Sequence, residues 1–412
     1  MLSVQAAETL ILNLVCPLNR QRDGEWVNFE AAAGRILAQE VRSKLDFPHW
    51  DNSAMDGYAV RYEDVQQCDA EHPVTLEIVE EIPAGYQPQR SIQAGQAARI
   101  LTGSMMPQGA DTVVMQENTQ RQGDRVTILT PPKPGAFVRR RAEFYTANTP
   151  LLPADIQLKA TEIAVLVAAQ CQPVWVYRRP RVAILSTGSE LVLPHQPLQP
   201  GQIVDSNQYA LAAAVTAAGA EPILAGIVPD DPVTLRDAIA QALITADMVL
   251  SSGGVSVGDY DYVDRILAEL GAEIHGRSVA VKPGKPLTIA RFDHDPLPKL
   301  YFGLPGNPVS ALVTFWRFVQ PALRKLSGLA EGWQPTLVTG VSPQDLRSDG
   351  KRESYLWGRV QIVNGGYQFQ LAGGSHSSGN LINLAQTNAL AVVPIGQTVI
   401  EAGAPVQILL VA

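Results

Sequence analysis

The feature that most constrains the fold is an alternation of apolar and helix-like segments that begins at Arg181. Four apolar runs, RVAILSTG, EPILAGIVPD, ADMVLSSGG and KLYFGLPG, each end in small or acidic residues. Helix-like stretches such as NQYALAAAVTAAG and PVTLRDAIAQALIT lie between them. This alternation predicts a parallel β-sheet covered by helices on both faces. Ligands of such sheets bind beyond the carboxyl ends of the strands, so the four strand ends are predicted to share one site.

The rest of the chain predicts further domains, because 412 residues exceed what one hydrophobic core usually holds. Between 27 and 146, short alternating runs such as TLEIVE and RVTIL are typical of an antiparallel β lobe. Alternating strands over 331–412 predict a small β-barrel or sandwich. Residues 1–26 and 154–171 have helical spacing. The predicted fold class is therefore multidomain α/β plus β.

Composition and charge exclude several classes of protein. The formal charge of -8 and the pI near 5.3 argue against a nucleic-acid partner. The three cysteines are far apart and have no CxxC spacing, which predicts a reducing compartment and no disulfide framework. The chain contains no run of 18 uncharged apolar residues, so the sequence predicts no membrane span. Glu8 lies where the apolar core of a signal peptide would start, which argues against an export signal. We therefore expect a cytoplasmic protein.

Three of the predicted strand-end loops have the composition of phosphate-binding loops. STGSEL offers hydroxyls, SSGG offers backbone N–H groups beside Gly253 and Gly254, and LPGNPVSAL places Pro308 at the first turn of a helix. Helix N-termini and glycine-rich turns bind phosphate through N–H groups that lack other partners. One such loop can be an ordinary turn, but three at one sheet edge predict a phosphorylated ligand.

Carboxylates accompany these loops. Glu190, Asp230, Asp259 and Asp261 are hard oxygen ligands, which suit Mg²⁺ better than zinc when phosphate is nearby. The alternative for the pair at 230–231 is that these residues cap the helix that starts at Pro232. Two other acids, at 237 and 264, are expected to be solvated helix positions.

Two lysines flank a Pro-Gly turn in KPGKP. This turn predicts that the amines of Lys282 and Lys285 point to one place and neutralise a phosphate or oxyanion, although surface lysines are usually solvated. Two other motifs, DNSAMDGYAVR and RILTGSMMPQGADTVVMQE, are polar loops between predicted strands. By themselves they indicate no function.

Taken in order, these motifs resemble those of the molybdopterin molybdenumtransferases, a family related to the E domain of gephyrin. The resemblance runs from about residue 3 to the C-terminus and includes GQIVDSN, GKRESYLWGR and GGSHSSGNLINLAQTNALAVVP. It implies the following domains: a split helical dumbbell (1–26 with 147–180), a β lobe (27–146), a molybdopterin-binding α/β domain (181–330) and a C-terminal β-barrel (331–412).

The resemblance also implies an activity and its partners. The expected reaction uses adenylylated molybdopterin and molybdate, with help from Mg²⁺, to form molybdenum cofactor and release AMP. The expected assembly is an elongated homodimer in which DNSAMDGYA reaches the cleft of the other subunit. The molybdopterin adenylyltransferase is a further expected partner.

Roles carry over onto matching motif positions. The resemblance assigns catalytic roles to Asp56, Thr102, Glu190, Asp230, Asp261 and Lys282. Three of these, Glu190, Asp230 and Asp261, are the expected metal ligands. Substrate binding is assigned to Ser186, Thr187, Gly188, Asp205, Ser206, Asn207, Ser251, Ser252, Gly253, Gly254, Asp259, Lys285, Pro305, Gly306, Asn307 and Pro308.

The chain departs from the family pattern after the β lobe. Phe144 stands where the family has a functional Asp, and Asn148 replaces a Gly, which is tolerable because Asn adopts left-handed backbone. Glu143 is a candidate replacement for the missing acid. Neighbours on a strand point to opposite faces, so we expect that Glu143 does not take over this role.

Two further departures fall in the α/β region. Ser278 stands where a Lys is common, with Arg277 beside it as a candidate substitute, and Ser189 stands where Asp is frequent. Losing one acid and one lysine predicts slower turnover unless neighbours compensate.

Three functions are consistent with the sequence. The preferred one is a molybdenum insertase. The second is a pterin-binding or scaffold paralogue with weak catalysis, supported by Phe144. The third is a nucleotide enzyme on the same α/β domain, such as a pyridine-nucleotide hydrolase related to competence-damage proteins, which the DNSAMDGYA lobe and the C-terminal barrel disfavour.

Overall fold

The computed structural model of the protein describes residues 1–254, 260–293 and 297–411, without the side chains of 260–262. The chain forms two compact units. The first unit contains Met1–Gln39, Ala154–Ile163 and Pro173–Ala412, and the second contains Glu40–Pro153 and Ala164–Gln172. Each unit has its own sheets.

The first unit begins with the helix Val4–Leu14. The Ser3 hydroxyl caps this helix by accepting a hydrogen bond from the backbone N–H of Ala6 at 3.1 Å. Helical spacing buries Val4, Ala7 and Ile11, as the apolar pattern predicts. The helix is shorter than the predicted range of 1–26. It ends at Leu14, and the chain enters the next strand at Gly24. That strand, Gly24–Val27, pairs with the antiparallel strand Val174–Tyr177 and precedes the short helix Phe29–Ala32.

The second unit is built on a sheet of six described strands. Their order is Thr112–Met115, Gly57–Val60, Gln96–Ile100, Val74–Ile82, Arg125–Ile128 and Thr119–Gln122. The pairing is antiparallel except between Val74–Ile82 and Gln96–Ile100, where it is parallel. The expectation of wholly antiparallel pairing is wrong there, since the connection over 83–95 is long enough for a crossover.

Short elements complete this part of the chain. The strands are Val41–Arg42, Asn52–Ser53, Val138–Arg139 and Pro150–Leu152, and the single turns of helix are Tyr62–Val65 and Gln116–Asn118. The predicted helix over 154–171 is confined to Ala160–Ala168. Pro173 lies beyond its end, where the chain enters an extended strand.

The α/β part of the first unit holds a second sheet of six described strands. Their order is Glu221–Val228, Arg181–Thr187, Met248–Ser252, Lys299–Leu304, Pro286–Phe292 and Ala272–Ser278. The first four are parallel to one another, which confirms the prediction from the four apolar runs. The last two were not predicted, and they add antiparallel pairing at one edge.

Helices cover both faces of this sheet, as predicted. Ile184 and Leu250 face a core that contains Leu211 and Phe315, whereas the alternate residues, such as Leu185, face a second core. The helices are Asn207–Ala217, Pro232–Thr245, Tyr260–Glu269 and Pro308–Thr314, the last continuing through a π turn, Phe315–Val319, into Gln320–Leu326. The short strands in this region are Leu191–Val192, Ile203–Val204 and Val281–Lys282.

A closed five-strand barrel forms the C-terminal region. Around the barrel the strands run Glu353–Val363, Gly366–Leu371, Leu337–Val341, Pro405–Leu410 and Ala389–Val393, and the last pairs again with the first. This closure decides for a barrel over a sandwich. Smaller elements at Leu346–Arg347, Val399–Ile400 and Leu381–Leu384 connect the strands.

None of the helices in the described part of the chain combines the length and apolar character needed to span a bilayer.

Candidate functional site

A cavity of about 1030 Å³ lies at the carboxyl edge of the parallel sheet. It is formed where the strands that end at Thr187, Ser252 and Leu304 meet the loops that follow them. The predicted site residues that line it are Ser186, Thr187, Gly188, Glu190, Asp205, Ser206, Asn207, Asp230, Ser252, Gly253, Gly254, Pro305, Gly306, Asn307 and Pro308. The structure therefore gathers most of the predicted α/β site around one space.

The two glycines of the SSGG turn allow close packing between strand ends. Gly253 has φ 96° and Gly254 has φ 65°, a backbone region that favours glycine. A Cβ on Gly253 would overlap the carbonyl oxygen of Thr187, and one on Gly254 would lie 2.9 Å from the Thr187 Oγ1. Glycine is thus required here by the fold as well as by the proposed approach of a ligand.

Asn207 holds two of the loops together. Its side-chain amide donates to the Ser252 Oγ at 2.6 Å and to the carbonyl oxygen of Gly306 at 2.7 Å. The Asn307 amide in turn donates to the Ser378 Oγ at 3.2 Å. These bonds fix the SSGG and LPGNP loops on one side of the cavity.

The cavity wall contains polar side chains that make no hydrogen bond within the described part of the chain. The Ser186 hydroxyl is buried and has no hydrogen-bond partner among the described residues, although Ser186 lines the cavity. The helix Asn207–Ala217 starts at Ser206, which makes no side-chain capping bond. A buried hydroxyl without a partner is costly unless a ligand or water satisfies it.

Asp205 has a structural task within the cavity wall. Its side chain is buried and accepts hydrogen bonds from the Gln208 backbone N–H at 3.2 Å and from the Gln208 side-chain amide at 3.0 Å. Asp205 therefore orders the helix start, and both of its oxygens already have protein donors.

The acidic side of the cavity contains Glu190 and Asp230, both exposed. The Ser189 backbone N–H donates to the Asp230 Oδ2 at 3.2 Å, and the Asp230 N–H donates to the Ser189 Oγ at 3.4 Å. The Glu190 carboxylate folds over Gly188, where a Cβ would lie 2.6 Å from its Oε2. Both carboxylates thus flank Ser189.

The adjacent Asp231 is the helix cap. Its Oδ2 accepts from the Thr234 backbone N–H at 2.8 Å and from the Thr234 hydroxyl at 2.6 Å. The hydroxyl bond is the main cause that lowers the pKa of Asp231. The capping alternative therefore holds for Asp231, whereas Asp230 faces the cavity.

The structure describes only some of the side chains that were expected to bind the metal ion. Asp259 lies outside the residues that the structure describes, and Asp261 is described only as helical backbone. Within the described ranges, no group of three His, Cys, Asp or Glu side chains could hold a metal. Two cavity carboxylates still fit Mg²⁺, which is commonly held by one or two carboxylates together with substrate phosphates.

Three predicted residues of the α/β domain do not line the cavity. The Lys282 amine pairs with the Asp349 Oδ2 at 2.9 Å, and Lys285 is exposed, so the structure does not bring the two amines together there. Ser251 points to the opposite face of the sheet from Ser252, as neighbours on a strand do. Its hydroxyl lies 2.5 Å from the Tyr301 hydroxyl, and burial raises the pKa of Tyr301 to about 12.

Asp56 and Thr102 belong to the second unit and contact each other directly. The Asp56 Oδ1 accepts from the Thr102 backbone N–H at 2.7 Å and from its hydroxyl at 2.8 Å. The backbone bond is the first of the causes that lower the pKa of Asp56. The two residues are 46 positions apart in the sequence, and the fold brings them into direct contact.

The departures from the family pattern have distinct surroundings. Phe144 is 65% exposed, and Glu143 lies in a turn where its Oε2 accepts from the Arg140 N–H at 2.8 Å. The strand assumed for these residues is wrong, since Ala142 has φ 62° and the segment reverses direction. Asn148 has φ 67°, which confirms its left-handed conformation.

Arg277 does not take the place of the missing lysine. It forms an ion pair with Asp264, whose side chain is only 14% exposed, so the expectation of a solvated Asp264 is wrong. Arg277 does not line the cavity.

Sequence reasoning missed several cavity residues. Gly379 and Leu381 come from the loop before the barrel strand Ala389–Val393, and Ser310 comes from the helix after LPGNP. The glycine- and serine-rich run GGSHSSGN was a usable signal. Among the apolar lining residues, Leu191, Ile203, Val204 and Pro286 lie within the motifs STGSEL, GQIVDSN and KPGKP, whereas Leu235 and Val263 carried no signal.

Family models match nearly the whole chain. The MoeA N-terminal region (domain I and II) matches residues 2–169, a probable molybdopterin binding domain matches 183–325, and the MoeA C-terminal region (domain IV) matches 339–411. The cavity described above lies mainly within the second of these matches. The fold and cavity thus define the class of protein, one built around a molybdopterin-binding domain.

Individual relatives agree. A molybdopterin molybdenumtransferase from a Nostoc species is 65% identical over 99% of this chain and 93% of its own length. One from Haemophilus influenzae is 36% identical over 85% of this chain and 86% of its own. A solved MoeA protein of molybdopterin biosynthesis from Pyrococcus horikoshii has a TM-score of 0.83 and 29% identity, covering 100% of both chains. The chain belongs to the molybdopterin molybdenumtransferase family and is an enzyme of that family.

Proposed function

We propose that the protein inserts molybdate into adenylylated molybdopterin, which forms molybdenum cofactor and releases AMP. The observation that carries this proposal is the convergence of three phosphate-type loops and two carboxylates on the 1030 Å³ cavity. A cavity of this size can hold a phosphorylated ligand of nucleotide size. The Ser186 hydroxyl, which has no hydrogen-bond partner among the described residues, lies buried in the wall of this cavity.

In this proposal the substrate phosphates bind on the side of the cavity that Asn207 orders. The SSGG turn and the starts of the helices Asn207–Ala217 and Pro308–Thr314 present backbone groups and positive helix ends. Negative charge develops on the phosphate that leaves as AMP. Preorganised donors at that position stabilise the charge without rearrangement during the reaction.

The acids act on the opposite side. Glu190 and Asp230 would hold Mg²⁺ together with substrate oxygens, and the bound ion would neutralise phosphate charge. Ser189 keeps the Asp230 carboxylate in place through its backbone N–H. The roles of Asp261 and Lys282 rest on the family resemblance alone.

The proposed assembly is a homodimer in which Asp56 and Thr102 of one subunit serve the cavity of the other. A cytoplasmic location and an encounter with the molybdopterin adenylyltransferase are also part of this proposal. The three cysteines carry no disulfide, which is compatible with a reducing compartment.

The other two functions are less well supported. The comparisons do not support a scaffold paralogue, since the relatives reported above are named as transferases. A hydrolase built on the α/β domain alone does not account for the family matches over 2–169 and 339–411.

Anaerobic incubation of the full chain with adenylylated molybdopterin and Mg²⁺, with and without molybdate, tests the proposal. The expected result is AMP release that depends on molybdate, together with cofactor that activates a molybdenum apoenzyme. Tight pterin binding without AMP release would favour the scaffold, and AMP release without active cofactor would favour a hydrolase.

A further inference from the structure

A second cavity, of about 240 Å³, lies at the opposite end of the parallel strands. Pro180, just before the strand Arg181–Thr187, lines this cavity, whereas Thr187 at the end of the same strand lines the first one. The seven residue steps from Pro180 to Thr187 correspond to about 23 Å along a strand. The second cavity is therefore separate from the proposed substrate site.

Its lining is strongly basic. Four arginines, Arg35, Arg178, Arg179 and Arg324, line the cavity, and none of the described residues that line it is Asp or Glu. Gly34, Gly219 and Gly332 also line the cavity and add no charge. Like charges at one place repel each other unless counter-ions are close by.

Two of the arginines have counter-ions behind the cavity wall. Arg35 is buried, pairs with Glu25 and donates to the Tyr177 carbonyl oxygen at 2.7 Å. Arg178 donates to both carboxylate oxygens of Asp247, at 2.6 and 2.8 Å. These contacts fix the two guanidinium groups in position and leave little of their charge uncompensated.

The other two have no such partner. Among the residues that the structure describes, neither Arg179 nor Arg324 forms an ion pair or a side-chain hydrogen bond. Arg179 is exposed, but Arg324 is half-buried, and this burial lowers the pKa of its guanidinium. Arg324 lies in the last turn of the helix Gln320–Leu326. The negative end of the helix dipole there offsets only about half of the positive charge of the guanidinium.

We propose that this cavity binds a tetrahedral oxyanion between Arg179 and Arg324. Guanidinium groups bind such anions through paired N–H donors, and a half-buried arginine gains most from a partner that neutralises it. The small volume favours an ion of the size of phosphate, sulfate or molybdate over a nucleotide. Water alone would hydrate an exposed arginine well, but it offers no countercharge to a buried one.

Titration calorimetry of the full chain with inorganic phosphate at low ionic strength tests this site, since salt screens the attraction. The variants are Arg324→Gln, which removes the charge, and Arg324→Lys, which keeps it without the paired donors. Arg236→Gln is the matched control, because Arg236 is exposed on another helix and lines neither cavity. Sulfate and molybdate arms distinguish which oxyanion the cavity prefers.

The expected result is a binding component in the parent and in Arg236→Gln that weakens at least about tenfold in Arg324→Gln. Arg324→Lys should retain part of it. Any anion bound at the first cavity remains in all variants and does not affect this difference. Equal binding of all three oxyanions by the parent and Arg324→Gln would overturn the proposal. Crystals soaked in molybdate give a second readout, with anomalous signal expected beside Arg324 and, if the proposal is wrong, absent there.

Discussion

One oxygen of Asp56, Oδ1, accepts two hydrogen bonds from Thr102, one from its backbone N–H at 2.7 Å and one from its hydroxyl at 2.8 Å. Both bonds favour the charged carboxylate, and they hold its pKa below the ordinary value. Asp56 is therefore an anion over the whole physiological range. It can bind a cation or accept a hydrogen bond without first losing a proton.

The first prediction concerns this pair. Thr102→Val removes the hydroxyl bond and keeps the backbone bond, so the pKa of Asp56 should rise part of the way towards its ordinary value. Because the folded-state pKa is lowered, the stabilising contribution is complete above the unfolded-state pKa and is lost as pH falls through the folded-state value. In Thr102→Val this contribution should be smaller, and its loss should be complete at a higher pH than in the parent, because only the folded-state pKa rises. Carboxyl ¹³C chemical shifts across a pH titration measure the pKa of Asp56.

Thr75→Val is the control for this titration, since the exposed Thr75 hydroxyl forms a hydrogen bond with the Thr127 hydroxyl of the same unit. It should leave the Asp56 titration unchanged. An unchanged midpoint in Thr102→Val as well would contradict the effect assigned to the hydroxyl.

The second prediction concerns the shared site of the proposed homodimer. Asp56→Asn and Asp230→Asn should each be nearly inactive alone. When the two variants are mixed and allowed to exchange subunits, half of the dimers pair one of each and contain one intact site. Molybdate-dependent AMP release should then recover to about a quarter of the parental rate. No recovery, with subunit exchange verified, would mean that both residues serve the same subunit's site or none.

The third prediction concerns Phe144, where the family has an acid. The ring is 65% exposed, so Phe144→Asp should change the free energy of unfolding by less than about 0.5 kcal/mol. It should raise molybdate-dependent AMP release if the site lacks one acid. Glu143→Gln should leave that rate unchanged, because the Glu143 carboxylate is engaged with the Arg140 N–H. A slower Phe144→Asp enzyme would show that the ring itself contributes to activity.

The fourth prediction concerns the SSGG turn. Gly253→Ala and Gly396→Ala both place a side chain on left-handed backbone, at φ 96° and φ 86°. Only at Gly253 would the new Cβ overlap another group, the Thr187 carbonyl oxygen, whereas Gly396 faces open space. Chemical denaturation should therefore show a larger loss of stability for Gly253→Ala, by roughly 1–3 kcal/mol. Equal losses would mean that the turn can shift away from Thr187 at little cost.

The parallel centre of the α/β sheet could be predicted from the sequence because its strands are buried on both faces. Strands such as Arg181–Thr187 and Met248–Ser252 therefore need nearly continuous apolar runs, which are easy to recognise. The edge strand Ala272–Ser278 was not predicted. Its residues AEIHGRS are only partly buried and have no apolar run, so its pairing depends on the neighbouring strand Pro286–Phe292.

The candidate site, like the sheet, could be predicted only in part from the sequence. The loops could be located, because glycine, serine and aspartate cluster where the strands end. The directions of the side chains could not be predicted. Alternation along a strand shows that Ser251 and Ser252 point to opposite faces, but it does not show which of the two points to the cavity. The partner of Lys282 was also hidden, because Asp349 lies 67 residues further along the chain. This contact follows from the parallel pairing of Val281–Lys282 with the barrel strand Glu353–Val363, which the sequence did not predict.

The central claim is that molybdate-dependent AMP release occurs in the cavity at the carboxyl edge of the parallel sheet. Asp230→Asn tests it most directly, because asparagine keeps the shape and can still accept the Ser189 hydrogen bond, but carries no charge. Asp237→Asn is the control, since Asp237 is exposed on the adjacent helix and pairs with Arg236. At equal melting temperature, we predict that Asp230→Asn lowers the rate at least about 10²-fold and that Asp237→Asn does not. A parental rate in Asp230→Asn would contradict this location of the reaction.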